Sequence, residues 1–222
     1  VEQATPLFAG MVDGPLPPIT PYDPAIRGAR VSTDSRPIDQ CTMYLGLPMF
    51  GRDDPDRYAI RIMNDVLGGG MSSRLFREVR ERRGLAYSVG SGYGYLSDAG
   101  VYTVSAGVNR DKLAETISVC LEETEKLVTT LVPAEELRKA KDHNIGRFRL
   151  SLETAFALGQ RHGESLLTKG LIEDVDSVVA QIEAITADDV QAVARRVVGR
   201  ERVHCAVVGP DIDDAEIEAA MA

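Results

Sequence analysis

The chain has 222 residues, 44% apolar and 27% charged, enough to bury one sizeable core or two small ones and unlike a disordered composition. Its 34 acidic residues outnumber 25 basic ones, for a formal net charge of -9, so it lacks the cationic footprint that general binding to nucleic acid or an anionic membrane needs. No run of about 18 apolar residues offers a membrane span, and no secretory signal is visible.

Six of the 11 prolines fall within the first 24 residues: Pro6, Pro15, Pro17, Pro18, Pro21 and Pro24. Proline fixes φ and lacks a backbone donor, so this stretch resists helix and sheet alike. Residues 1–28 are therefore expected to be a linker or extended arm. Because the chain lacks an initiator Met, something is expected to precede it. Regular structure is expected from about Arg30.

Residues 39–47, DQCTMYLGL, alternate as a strand does, with Cys41, Met43, Leu45 and Leu47 on one face. Asp54-Pro55 reads as an N-cap followed by proline at the first helical position. Ala59, Ile62, Met63, Val66 and Leu67 follow at helical spacing, and Gly68-Gly69-Gly70 is expected to end the helix with positive φ. A second helix is predicted from about Ser73 to Arg82, burying Leu75, Phe76 and Val79, with Gly84 closing it.

A β-hairpin is predicted over 86–95 and 101–108, turning at Ser97-Asp98-Ala99-Gly100. Simple alternation puts Tyr87, Val89, Tyr93 and Tyr95 on one face and Gly90, Gly92 and Gly94 on the other. Asn109 is expected to cap a helix carrying Leu113, Ile117, Cys120, Leu121, Thr124 and Leu127. Pro133 opens another, with Leu137, Ala140 and Lys141, and helical patterning continues through Leu167. Thr186-x-x-Asp189 resembles a capping box ahead of Val190, Val193, Ala194 and Val197. Residues 202–208, RVHCAVV, read as a last strand, and 211–222 as a solvated acidic tail. Strands and helices do not alternate strictly. The fold class expected is α+β: a two-layer sandwich whose mostly antiparallel sheet carries helices on one face.

Metal and nucleophile chemistry is thin. The three histidines, His143, His162 and His204, form neither HExxH nor HxxEH, so no helical turn brings two imidazoles to one zinc. No metal ligand or resident cofactor is expected in this chain. Cys41, Cys120 and Cys205 are odd in number and widely spaced, and they read as small buried hydrophobes. There is no GxSxG elbow. Gly68–Gly70 with Ser72 and Ser73 lacks the GK[ST] ending of a phosphate loop, and a helix end running into the next helix start explains it better. Reduced cysteines and an acidic composition suggest a cytoplasmic protein.

The stretch 66–89, VLGGGMSSRLFREVRERRGLAYSV, closely resembles the segment that marks the second half of pitrilysin-family metallopeptidases, the group of insulysin and the mitochondrial processing peptidases. The likeness runs upstream through LGLPMFGRDDPDRYAIRIMNDVLGGG, and downstream through IEAITADDVQAVARRVV to VHCAVVGP. It implies that residues 29–210 are a zinc-motif-lacking domain with the processing-peptidase-like fold, closing over peptide substrate opposite a zinc-bearing HxxEH half. Zinc would then belong to that partner half, and this chain alone would be inactive. The family's arginine and tyrosine, seven positions apart, fall on Arg80 and Tyr87. The resemblance makes both substrate-binding, with Tyr87 also an assisting donor to the oxyanion. A short turn at Gly84 is compatible with both side chains reaching one cleft. The partner half is expected upstream in the same polypeptide. Two alternatives stand beside that: a separate subunit, and a purely structural role like that of idle family members in respiratory complexes. A homodimer of the intact protein is compatible with the leading reading.

Overall fold

The computed structural model describes residues 5–11, 14, 18, 20–23 and 28–222. Five strands form one sheet: β1 (Val31–Ser35), β2 (Cys41–Phe50), β3 (Ala86–Tyr95), β4 (Ala99–Val108) and β5 (His204–Gly209), in the order β1-β5-β2-β4-β3. Only β1 and β5 run parallel; the other pairs are antiparallel. β2 lies at the centre, with Leu45 opposite Val104 on β4 and Cys205 on β5. Cys41, Met43, Leu45 and Leu47 are all buried, as alternation requires, while Thr42 and Tyr44 between them are exposed.

The helices are α1 (Thr5–Phe8), α2 (Arg57–Leu67), α3 (Leu113–Thr129), α4 (Ala134–Leu150), α5 (Ala155–Lys169), α6 (Val175–Ala184), α7 (Ala187–Val197) and α8 (Asp214–Met221). The apolar stripes of α2, α3 and α7 join the buried face of the sheet in a single core. The architecture is the expected two-layer α+β sandwich, and Tyr44 and Val101, 52% and 42% exposed, mark its uncovered sheet face.

Several local expectations shift. Pro6 lies within α1, where the first turn of a helix tolerates it, so the arm is not wholly irregular; Pro15, Pro17 and Pro24 lie outside the described residues. α2 starts two residues beyond the Asp54-Pro55 pair, at Arg57. The Asp54 carboxylate is taken up by Arg196 at 2.8 Å and by the backbone N–H of Asp56 at 2.9 Å. Gly68 has φ of -151°, so it is not a left-handed cap. It is needed for a different reason: a Cβ there would lie 2.3 Å from the Ser91 nitrogen of β3. The Ser91 N–H donates to the Gly68 carbonyl at 3.3 Å, tying the end of α2 to the sheet edge.

Asn109 precedes a short 3-10 turn and makes no side-chain cap. The hairpin loop is shorter than expected, because β4 begins at Ala99 and the Leu96 N–H donates to the Ala99 carbonyl at 2.8 Å. Thr186 and Asp189 form the full reciprocal capping box. α6 lies beyond the predicted helical patterning, which ends at Leu167; Asp174 caps it by accepting from the Ser177 N–H at 3.0 Å.

The acidic tail is not solvated. Its residues form α8, which docks on α3 and β1. Ile217 and Met221, one turn apart, are 0% and 1% exposed, and the acidic side chains occupy the other positions. Arg110 holds the helix through Glu216, with contacts of 3.2 and 2.5 Å.

Ile217→Ala should therefore cost about 2–5 kcal/mol of unfolding free energy, the range for truncating a fully buried aliphatic side chain. Thr186→Ala should cost about 1 kcal/mol through the lost cap. Denaturant titrations check both. A tail that contributes nothing to the core would leave Ile217→Ala at the natural midpoint.

Candidate functional site

The segment linking α2 to β3 carries the predicted site. After a single helical turn at Arg74 and Leu75, residues Phe76–Arg82 form a π-helix. Its i→i+5 pattern is rare in proteins and frequently accompanies functional sites. Leu75 and Val79 anchor it, both at 0% exposure. It ends where the Leu85 N–H donates to the Val79 carbonyl at 2.8 Å, and Gly84 takes φ of +59°, a conformation costly for a side chain with Cβ.

The strand that follows is bulged at once. Ala86 faces Val108 and Ser88 faces Gly107, so Tyr87 has no residue opposite it. A bulge re-aims the side chain it carries. Tyr87 is 75% exposed, whereas Val89, Tyr93 and Tyr95 pack partly buried against the core. Simple alternation had placed all four together; the extra residue breaks that phase.

The π-helix and the bulge bring Arg80 and Tyr87 together. The Arg80 guanidinium carbon lies 5.1 Å from the Tyr87 ring centroid and 5.0 Å from that of Phe76. The cation is thus held against two aromatic rings, each contact contributing roughly 0.5–1 kcal/mol at an exposed site. Phe76 was expected on the buried face; it is only half-buried, and its ring backs Arg80. The spacing of four between Phe76 and Arg80 is the sequence signal that could have revealed this contact.

The neighbouring arginines are engaged with acids. Arg74 forks onto Glu136 at 3.0 and 2.7 Å, and Arg77 reaches the same carboxylate at 3.7 Å. Arg82 and Arg83 both lie 3.0 Å from Glu78. The Arg83 guanidinium, aided by Arg82, holds the Glu78 carboxyl below its ordinary range. Among the described residues Arg80 has neither ion pair nor hydrogen bond, so its donors are available to a ligand. The Tyr87 hydroxyl is similarly unbonded.

The histidines do not meet. His143 is on α4, His162 on α5 and His204 on β5, where a ring nitrogen lies 3.0 Å from the Ala29 carbonyl. Among the described residues no three His, Cys, Asp or Glu side chains converge to hold a metal ion, and these histidines do not fit a zinc site. His143 instead neighbours Asp65, Nδ1 to Oδ1 3.5 Å. The Asp65 side chain is 4% exposed and accepts from Asn144 Nδ2 at 2.7 Å. Burial pushes its carboxyl above the ordinary aspartate range, partly countered by Asn144 and His143. The three cysteines are buried, and desolvation pushes Cys120 up to about 12 and Cys205 to about 11, far from a reactive thiolate.

The model of the peptidase M16 inactive domain matches residues 1–144 of this chain. The chain is 40% identical over 181 residues to an uncharacterized zinc protease of Streptomyces coelicolor, and 36% over 181 residues to one of Mycobacterium tuberculosis. Each alignment covers 82% of the chain but only 39% and 41% of those relatives, so the chain spans well under half their length. Among solved structures it resembles a peptidase M16 inactive domain from Pseudomonas fluorescens, with a TM-score of 0.78, 23% identity, 88% of this chain and 47% of that one covered. It also resembles a protease from Helicobacter pylori, with a TM-score of 0.79, 21% identity, 94% of this chain and 51% of that one. At those identities the two structures bear on the fold alone.

The buried Asp65 gives a pH prediction. Its native pKa is raised, so the folded chain holds the proton more tightly than the unfolded chain. The stability it lends is present in acid, below its unfolded pKa of about 3.9, and is lost as pH rises through the native value. At neutral pH the ionised carboxylate is a net cost. Asp65→Asn, which keeps an acceptor for Asn144, should raise Tm at neutral pH, with the gain shrinking in acid. A neutral-pH Tm equal to or below that of the natural chain contradicts this.

Proposed function

Because the chain belongs to the peptidase M16 inactive-domain family, we propose that it is the non-catalytic half of a zinc metalloendopeptidase, closing over a peptide held against a zinc-bearing half. The observation that carries the reading is the Arg80–Tyr87 pair within the matched segment: two adjacent donors, one cation and one phenol, with no hydrogen-bond or ion-pair partner among the described residues. A purely structural arginine on this segment would be expected to resemble Arg74, Arg82 or Arg83, each of which is paired with a carboxylate.

In this reading peptide-bond cleavage takes place at the zinc-bearing half, and this chain binds no metal. Negative charge develops on the scissile carbonyl oxygen as the bond is attacked. The Tyr87 hydroxyl donates to that oxygen, and the Arg80 guanidinium donates to a neighbouring carbonyl of the substrate. Phe76 limits the rotamers open to Arg80, so less conformational freedom is lost when substrate arrives. The length of the curated relatives beyond the matched stretch leaves room for the zinc-bearing half in the same polypeptide, which supports that arrangement over a separate subunit.

The test uses the assembled two-half peptidase. Tyr87→Phe keeps the ring over Arg80 and removes only the hydroxyl, so kcat should fall roughly 10²–10³-fold with zinc content and Tm unchanged. Arg80→Ala should lower turnover and also raise KM. Phe76→Leu should raise KM more than it lowers kcat. Arg83→Ala, which removes a guanidinium already paired with Glu78, should leave both constants near their natural values. If Arg80 and Tyr87 only brace the turn, activity will track the unfolded fraction instead. A folded Tyr87→Phe enzyme with natural kcat rules out the role given to its hydroxyl.

A further inference from the structure

Between α2, the C-terminal end of α4 and α5, the helical layer leaves a cavity of about 400 Å³, within the usual size range of small-molecule pockets. Four cations line it, Arg52, Arg61, Arg161 and Lys169, against two carboxylates, Glu164 and Glu173. That local surplus has the opposite sign to the net charge of -9 on the whole chain. One of the carboxylates is already engaged: Glu173 lies 2.9 Å from Arg57 and 2.5 Å from Lys169. Arg52, Arg61 and Arg161 have no carboxylate within ion-pair distance among the described residues. Arg61 feels Asp65 and lies against the Tyr93 hydroxyl, but the Asp65 carboxylate bonds to Asn144.

These arginines are not loose surface charges. The guanidinium carbons of Arg61 and Arg161 lie 5.7 and 4.8 Å from the ring centroid of Phe148, which is buried. The Nε atoms of both are buried without a hydrogen-bond partner. A buried charged donor with no acceptor carries an uncompensated desolvation cost. Two cations against one ring also repel each other, and the ring face offsets only part of that. An oxyanion in the cavity would offset that repulsion and give the cations a counter-charge through their outer guanidinium nitrogens, although the closed-off Nε atoms lie beyond its reach.

The number of donors selects the anion. One carboxylate offers two oxygens and one charge, which suits a single guanidinium fork. Three guanidinium groups and a surplus of two positive charges suit a phosphate group, with three terminal oxygens and a dianionic charge. The structure assigns this cavity as a binding site for a phosphate group, carried either as free phosphate or as the phosphomonoester of a small molecule. None of its lining residues belongs to the Arg80–Tyr87 segment, so the two share no side chain.

Calorimetric titration of the 222-residue chain with inorganic phosphate and with O-phosphoserine, at constant ionic strength in chloride, tests the assignment. Saturable one-to-one binding is expected for at least one of them, with none for acetate. Arg61→Gln and Arg161→Gln should each weaken it by about tenfold or more, as loss of a hydrogen bond to a charged group does. Arg83→Gln, outside the cavity, should not. Arg161→Lys keeps the charge and removes the fork; weaker binding at natural Tm separates recognition from misfolding. Tighter binding of phosphoserine identifies an ester as the ligand, and equal or tighter binding of phosphate identifies the free ion. No saturable binding of either below about 10 mM overturns the assignment, as does binding unchanged in folded Arg61 and Arg161 variants. The zinc-bearing half is absent from this assay, so its outcome is independent of the peptide-clamp reading.

Discussion

The structure depends on one constraint: a five-stranded sheet must keep one face dry, and β2 at its centre must supply most of that face. Cys41, Met43, Leu45, Leu47 and Met49 point the same way and are all buried. Their register with β4 and β5 places Val104, Ala106 and Val108 on one side and Cys205 and Val207 on the other in the same plane. A one-residue slip of β2 would turn all of these to solvent, so the register is held by the whole hydrophobic face at once. The helices then have a single surface on which to bury their stripes, and the opposite face of the sheet stays open.

The candidate site is built at the edge of that sheet by departures from regularity. A π-helix, a left-handed glycine and a β-bulge follow one another between Phe76 and Ser88. Each is disfavoured in isolation, and each is held by buried neighbours: Leu75 and Val79 under the helix, Leu85 and Ala86 at the turn. The same strand is tied to the end of α2 by the close passage of Gly68 beside Ser91. The irregular segment is therefore fixed at both ends by core contacts, and its exposed side chains inherit a defined placement. Arg80 and Tyr87 meet because the backbone between them cannot relax into a plain helix and a plain strand.

Charge is also organised by this packing. The chain is acidic overall, yet the arginines of the helical layer are drawn inward, onto Tyr58, Phe148 and Phe50. Some are neutralised there, as Arg196 is by Asp54 and Asp56, an arrangement that also depresses the Asp54 carboxyl. Others are not, and Arg52, Arg61 and Arg161 line a concavity that holds two more cationic than anionic side chains.

What the sequence determined by itself was whatever depends on local periodicity. Alternation gave β2 and its buried face; 3.6-residue spacing gave the stripes of α2, α3 and α7; the Thr186–Asp189 spacing gave the capping box. The family block located the Arg80–Tyr87 segment, since a motif needs no geometry to be recognised. Tertiary structure alone decided where the phase breaks. An extra residue at Tyr87 is invisible to a period-two reading until β4 shows which residue lies opposite. Gly68 looked like a left-handed cap because its true constraint, the backbone of Ser91, is 23 residues away in the chain. The tail looked solvated because its acidic residues dominate its composition; only the docking of Ile217 and Met221 on α3 and β1 reveals a helix with a buried face. The same holds for the cationic cavity. Arg52, Arg61 and Arg161 are scattered along the sequence, and only helix packing gathers three ordinary surface-type residues where their charges must be answered together.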